Sequence, residues 1–239
     1  MTAKIVELGT LYVGGQPVEP GALYNGKGLS FGDTCPGMEL QWVDDCGLLV
    51  SDRTICTNIT WEQLDQKGLV FGAPVQIDGK SYLCRCLKVG SKEGIPNEWD
   101  ALLDKYGEND DLWHWEYQRF WGQETISRPD LPHPIRGGVL ARFWCWDKAT
   151  YQSVDLGFRP ALEYLGSEPC SPDTLLGKKA KVYCSDGVTI EGYLVSFSDY
   201  DVVLEVSSLA PPSCSRAIRE GHNIIVDREN IIWLKEIQV

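Results

Sequence analysis

Residues 113–162 read WHWEYQRFWGQETISRPDLPHPIRGGVLARFWCWDKATYQSVDLGFRPAL, from Trp113 to Leu162. This stretch holds five of the chain's nine tryptophans: Trp113, Trp115, Trp121, Trp144 and Trp146. It also holds Arg136-Gly137-Gly138 and Gly157-Phe158-Arg159-Pro160. Large rings set between glycine turns predict a compact, loop-rich module whose rings fill a core or line a binding face. In Trp113-His114-Trp115 and in Trp144-Cys145-Trp146 the rings are two residues apart, so on a strand each pair shares one face. That face is either core or binding surface, and Trp is rarely buried completely. Together with Tyr151 the rings form a candidate surface for stacking on a planar ligand or holding a protein partner, and Trp beside Arg is hot-spot composition.

The polar residues of the same stretch supply further candidates. Arg136, Arg142 and Arg159 have the fork geometry that clamps an anion bidentately. Arg136 and Arg159 are read as framework residues bonded to loop carbonyls, which leaves Arg142 as the binding candidate. His114 and His133 are the residue type for general acid and base work. No serine elbow, Cys/His pattern or metal motif accompanies them, so both are read as packing or hydrogen-bonding groups. His114 stays among the partner-binding candidates, no residue is assigned as catalytic, and the chain is read as non-enzymatic. Glu98, Asp100, Asp104, Glu108, Asp110 and Asp111 are an acidic group without EF-hand spacing, read as a solvated face.

Composition narrows the class. A chain of 239 residues is long enough for one large or two small domains. Its 43% hydrophobic and 23% charged content is ordinary for a soluble globular protein. Apolar runs are a few residues long, too short to span a bilayer. The N-terminus lacks the basic start and apolar run of a secretory signal, so a cytoplasmic location is expected. The nine cysteines contain no CxxC pair, the closest being Cys84-Arg85-Cys86. Reduced thiols are expected, with no zinc and no cofactor. A net charge of −12 argues against nonspecific nucleic-acid binding and permits a basic protein partner.

Along the chain, the Gly- and Pro-rich residues 1–34 predict short strands and turns, as an N-terminal edge strand or an arm that pairs with a neighbouring chain. Two strands are expected around the turn at Asp44 to Gly47. A helix is expected after Thr60, whose partner Gln63 completes a capping box, ending near Gly68. Asp78-Gly79 predicts a hairpin over residues 69–89. Trp99, Leu102, Leu103 and Tyr106 share a face at helical spacing within residues 97–106. Residues 166–174 have linker composition. Beyond them residues 175–206 alternate with period two, Ala180, Val182 and Cys184 on one face and Lys179, Lys181 and Tyr183 on the other. Gly192 predicts a bend or bulge, residues 207–222 a loop, and residues 223–239 two more strands.

Three anchors carry a resemblance to a known fold. Ile95-Pro96-Asn97-Glu98-Trp99-Asp100, Arg136-Gly137-Gly138 and Gly157-Phe158-Arg159 resemble, in order, a helix start, an Arg-Gly-Gly and a closing Gly-Phe-Arg. These belong to the C-type-lectin-like fold, in the branch of formylglycine-generating enzymes and bacterial or phage variable proteins. The resemblance covers residues 70–163 and implies a structural role for Trp99, Arg136, Gly137, Gly138, Gly157, Phe158 and Arg159. It does not extend to the copper-binding cysteine pair, because only Cys145 lies in that interval, nor to the lectin calcium loop. Residues 174–239 are similar to a bacterial Sm-like barrel. Leu176 to Val182 fit its first strand; Asp186-Gly187, Gly192, Leu194 and Phe197 fit its first motif, and Val226 to Ile231 its second. The RNA-contacting positions are not kept, and residues 171–239 carry seven Lys and Arg against ten Asp and Glu.

The expected fold is therefore α+β. It comprises a C-type-lectin-like mixed domain with short helices over residues 1–165, a linker at 166–174 and a small all-β Sm/SH3-like barrel at 175–239. The expected function is that of a cytoplasmic binding protein of bacterial or phage origin. It engages a protein partner, for instance a host nuclease or defence protein that it inhibits, through an aromatic and Arg-bearing surface and acidic charge. The alternative is a binder of a small anionic ligand such as a nucleotide. A formylglycine-type oxidase comes third. A homo-oligomer through the barrel or the N-terminal arm is a further expectation.

Overall fold

The computed structural model describes residues 2–126, 132–207 and 216–237. The chain divides into two compact units, residues 1–164 and 165–239. The first contains strands β1 (Lys4–Val13), β2 (Gln16–Val18), β3 (Ala22–Leu23), β4 (Leu29–Gly32), β5 (Glu39–Asp45), β6 (Leu48–Ser51) and β7 (Cys56–Thr57). After helix α1 (Trp61–Asp65) come β8 (Ala73–Ile77), β9 (Lys80–Cys86), α2 (Glu98–Tyr106) and α3 (Asp110–Trp113). Then follow β10 (Arg119–Trp121), β11 (His133–Gly137), β12 (Trp144–Asp147), β13 (Leu156–Phe158) and β14 (Pro160–Gly166). The second unit contains α4 (Pro172–Leu175), β15 (Lys179–Cys184), β16 (Thr189–Phe197), β17 (Asp201–Glu205), β18 (Ala217–Glu220), β19 (Asn223–Asp227) and β20 (Ile231–Glu236).

The architecture corrects the expected α+β class. Twenty strands form three sheets, and the four helices among the described residues have four to nine residues each, so the chain is largely all-β. The physical reason is visible in the sequence. Glycines and β-hairpin turns interrupt the chain too often for long helices, and only Glu98–Tyr106 sustains a helical apolar face.

In the first unit a large sheet runs β2-β1-β5-β6-β14-β9-β8, with β4 also paired to β1. Both faces are covered. Leu40, Trp42 and Leu162 enter one core with Trp61, Trp121 and Phe158. Val43, Val50 and Ala161 enter the other with Trp99, Leu102, Leu103, Trp113 and Phe120. Cys84 and Cys86, two apart on β9, share the first of these cores. Full burial of each large apolar side chain contributes about 1.5–3 kcal/mol, so these clusters dominate the unit's stability. Residues 1–34 form the short strands and turns expected of them, with β2 an end strand of the large sheet. β1 carries β5 and then β2 along one edge, and β4 pairs residues 10–13 on the other.

The second sheet runs β12-β11-β10-β13-β7-β3 and assembles the aromatic stretch. Helix α1 starts at Thr60 with both bonds of the capping box, and α2 starts at Asn97, whose side chain accepts from Asp100 N–H.

In the second unit the order is β18-β19-β17-β16-β15-β20. Ala180, Val182 and Cys184 bury against Leu194, Val202, Leu204 and Val226, so the sheet curls around a core of its own. The described pairings leave β18 and β20 as unjoined ends, a curled half-barrel where a closed barrel was expected. Gly192 sits where an added Cβ would lie 2.5 Å from Glu205 O, and a bulge follows between Leu194 and Ser196. Residues 166–174, expected as a linker, hold a hydrogen bond from Cys170 N–H to Leu234 O and the start of α4 at Pro172. The expected loop at 207–222 contains β18, a hairpin partner of β19; residues 208–215 of that loop lie outside the described residues.

Candidate functional site

The aromatic stretch is built on two buried arginines. Arg159 has no exposed surface. Its guanidinium lies 4.9 Å from the Trp99 ring centre and 4.8 Å from that of Phe120. It donates to Trp113 O at 2.6 Å and to Asp52 O at 3.3 Å. Burial pulls its pKa down to about 9, and Asp52 works against that fall, so it remains a cation at neutral pH. Arg136 is also buried; it pairs with Asp100 and donates to Arg142 O at 3.0 Å. Gly137 has φ 83°, and a Cβ there would lie 2.6 Å from Gln118 O. These residues hold the shape of the second sheet and α2, and none of them is offered to solvent.

The candidate face separates into core and surface. Trp113 and Trp121 have no exposed surface, and their indole N–H groups donate to Gly107 O and Ile59 O. They are therefore corrected from partner-binding to core residues. The shared face expected for Trp113 and Trp115 also fails. Trp113 ends α3, His114 takes a left-handed cap conformation (φ 45°, ψ 49°), and Trp115 turns elsewhere, donating to Glu108 O at 2.9 Å. Strand period does not apply across a helix end. Trp144 and Trp146 do lie on one strand, β12; Trp144 is half-buried and bonded to Gly90 O, and Trp146 is exposed. Tyr151 is exposed as well.

Arg142 is not an open anion clamp. It pairs with Asp104 at 2.7 Å and Glu108 at 2.5 Å, and lies 3.7 Å from Asp100. Two neighbouring carboxylates hold its pKa above the usual arginine range, opposed by burial. Sequence reasoning missed these pairs because α2 lies more than thirty residues upstream.

The histidines are engaged separately. His114 Nδ1 lies 3.4 Å from the buried carboxylate of Asp52, and its Nε2 lies 3.3 Å from Arg53 Nη2. His133 is buried and stacked on Trp61 at 3.6 Å, its pKa lowered by burial. Cys145 is half-buried, and burial raises its pKa despite the nearby Arg119. Among the described residues no group of three His, Cys, Asp or Glu side chains is placed to hold a metal ion. No helix among them is long and apolar enough to cross a membrane.

What the sequence did not single out is a rim of apolar side chains beside this framework. Tyr117, Val139 and Leu140 are 80%, 75% and 61% exposed, and Phe143 is also exposed. Tyr117 N–H donates to Gly138 O, which places it next to the 138–143 loop. That loop is held from below. Ala141 is buried and its carbonyl accepts from Trp99 Nε1, the Arg142 carbonyl accepts from Arg136, and Phe143 N–H closes a turn on Leu140 O. The one signal available in the sequence was the Gly137-Gly138 pair directly ahead of Val139-Leu140, a turn that pushes the next residues outward.

No family model, curated protein or solved structure matches the chain. The geometry of the rim is thus the ground on which function is argued.

Proposed function

We propose that the chain is a binding protein whose first unit engages a protein partner through the rim of Tyr117, Val139, Leu140 and Phe143, flanked by Trp146 and Tyr151. The observation that carries this reading is that the rim is exposed and apolar while its backbone is fixed. Contiguous apolar surface on a soluble domain marks an interaction site. A loop already held in one conformation loses little entropy on association. In this reading the chain acts in a bacterial cytosol, as an inhibitor of a nuclease or defence protein. The small-anion alternative has lost its cation, since Arg142 is matched by carboxylates. The copper oxidase would need a second cysteine beside Cys145.

The test is retention of a partner from bacterial lysate on the immobilised chain and on a Val139→Ser/Leu140→Ser/Phe143→Ser variant. A protein retained by the parent and by a control Val154→Ser variant, but lost with the triple variant, supports the reading. Equal retention by all three refutes it.

A further inference from the structure

The rim has an electrostatic border that defines its partner more narrowly. Residues 98–117 carry seven carboxylates, of which Glu98, Asp100, Asp104 and Glu108 pair with Arg85, Arg136 and Arg142, leaving Asp110, Asp111 and Glu116 as the acidic border. They are not spread evenly around the fold. Glu116 sits beside Gly138 through a β-bridge, and its N–H donates to the carboxylate of Asp110. Asp111 is exposed on the same turn. On the other flank, Asp104 and Glu108 hold Arg142, the residue between Ala141 and Phe143. The nearest cations are already matched, Arg142 by those two carboxylates and Arg119 by a two-pronged pair with Asp155. Among the described residues no basic side chain forms an ion pair with Asp111 or Glu116.

From this charge complementarity we infer that the rim receives a cationic, amphipathic segment of a partner protein, with apolar side chains against Val139, Leu140 and Tyr117 and Lys or Arg against Asp111 and Glu116. The inference rests on the proposed function and deepens it by naming the chemistry of the partner. Exposed charges around an apolar centre act mainly on encounter rate and on the exclusion of wrong partners, and salt screens them. An acidic partner would meet repulsion on the Asp111 and Glu116 side.

The experiment uses three fluorescent peptides of equal length and the full chain. One places Leu at i, i+3, i+4 and i+7 and Lys at the remaining positions to make an amphipathic helix, one replaces each Lys with Glu, and one replaces each Leu with Ser. Anisotropy is read at about 50 mM and about 500 mM salt, where the screening length falls severalfold. The Lys/Leu peptide is expected to bind and to weaken at least about tenfold at the higher salt. It should weaken severalfold with Asp111→Asn/Glu116→Gln and at least about tenfold with Val139→Ser/Leu140→Ser. The other two peptides should bind at least tenfold more weakly. Equal binding of the Glu/Leu peptide, or no effect of Asp111→Asn/Glu116→Gln, overturns the cationic partner and leaves the apolar rim standing. Binding that ignores Val139→Ser/Leu140→Ser, or no binding of any peptide, overturns this inference. Whether the proposed function then falls is read from the lysate experiment with the triple variant.

Discussion

Replacing Arg159 with methionine should destabilise the first unit by about 2–4 kcal/mol. The wild-type guanidinium is wholly buried against the rings of Trp99 and Phe120 and donates to the carbonyls of Trp113 and Asp52. Methionine fills most of the volume but donates nothing. Each buried carbonyl left without its donor costs about 1–3 kcal/mol. The two desolvated ring contacts are worth about 2 kcal/mol together. Against this, the variant no longer keeps a cation away from water, a penalty of several kcal/mol that offsets part of the loss. Arg159→Lys should do at least as badly, because an ammonium must still be buried and cannot reach both carbonyls while keeping both ring contacts. Urea unfolding followed by tryptophan fluorescence is the assay, since eight of the nine tryptophans belong to residues 1–164. Unchanged stability in Arg159→Met, or full rescue by lysine, would refute the reasoning: the first would show that the hydrogen bonds carry nothing, the second that charge alone matters.

Glu98 is held by Arg85 through bonds of 2.7 and 2.8 Å and by Lys88 N–H; burial raises its pKa, yet these partners more than offset that and leave it below its ordinary value of 4.5. Its contribution is thus complete above about pH 4.5 and disappears as pH falls through the lower folded value, so Glu98→Gln should flatten the acid limb of a urea-midpoint profile. An unchanged acid limb would show that the pair does not couple to folding. Gly157→Ala should cost about 3 kcal/mol or more, because the added Cβ would lie 1.9 Å from Cys56 O. Gly28→Ala meets nothing within 4 Å and should stay within about 0.5 kcal/mol of the parent in the same urea titration. Among the described cysteines Cys46 is the exposed one and should be alkylated first by iodoacetamide in a mass-mapped time course. Cys56, pushed up to about 12 by burial, should react only on unfolding, as should Cys84 and Cys86.

Local chemistry was the legible part of the fold. Thr60 with Gln63, Asn97 ahead of the Trp99 face, the Asp78-Gly79 turn and the alternation of Ala180, Val182 and Cys184 all act within a few residues, and each appears where the sequence placed it. Non-local pairing was not legible. Nothing near Arg142 announces Asp104 and Glu108, and nothing in the glycine-rich first thirty residues announces that residues 10–13 of β1 would be paired on both edges. The site was half readable for the same reason. Trp113 and Leu140 have similar affinities for a core, and the choice between them was made by a helix cap at His114 and a glycine turn at Gly137-Gly138.

The place of β14 in the large sheet bears on how the chain comes to be folded during synthesis. It lies between β6 and β9, yet it is the last strand of its unit to be made. Until the ribosome has released residues 160–166, the edges of β6 and β9 stay open, and the sheet exists as two halves with no ladder between them. Unpaired edges of this kind recruit other chains. Joining them requires contacts of high sequence separation, which form slowly. A nascent chain stopped short of Pro160 is therefore the species most exposed to aggregation and most in need of a chaperone, and the completed unit protects itself by closing around its final strand.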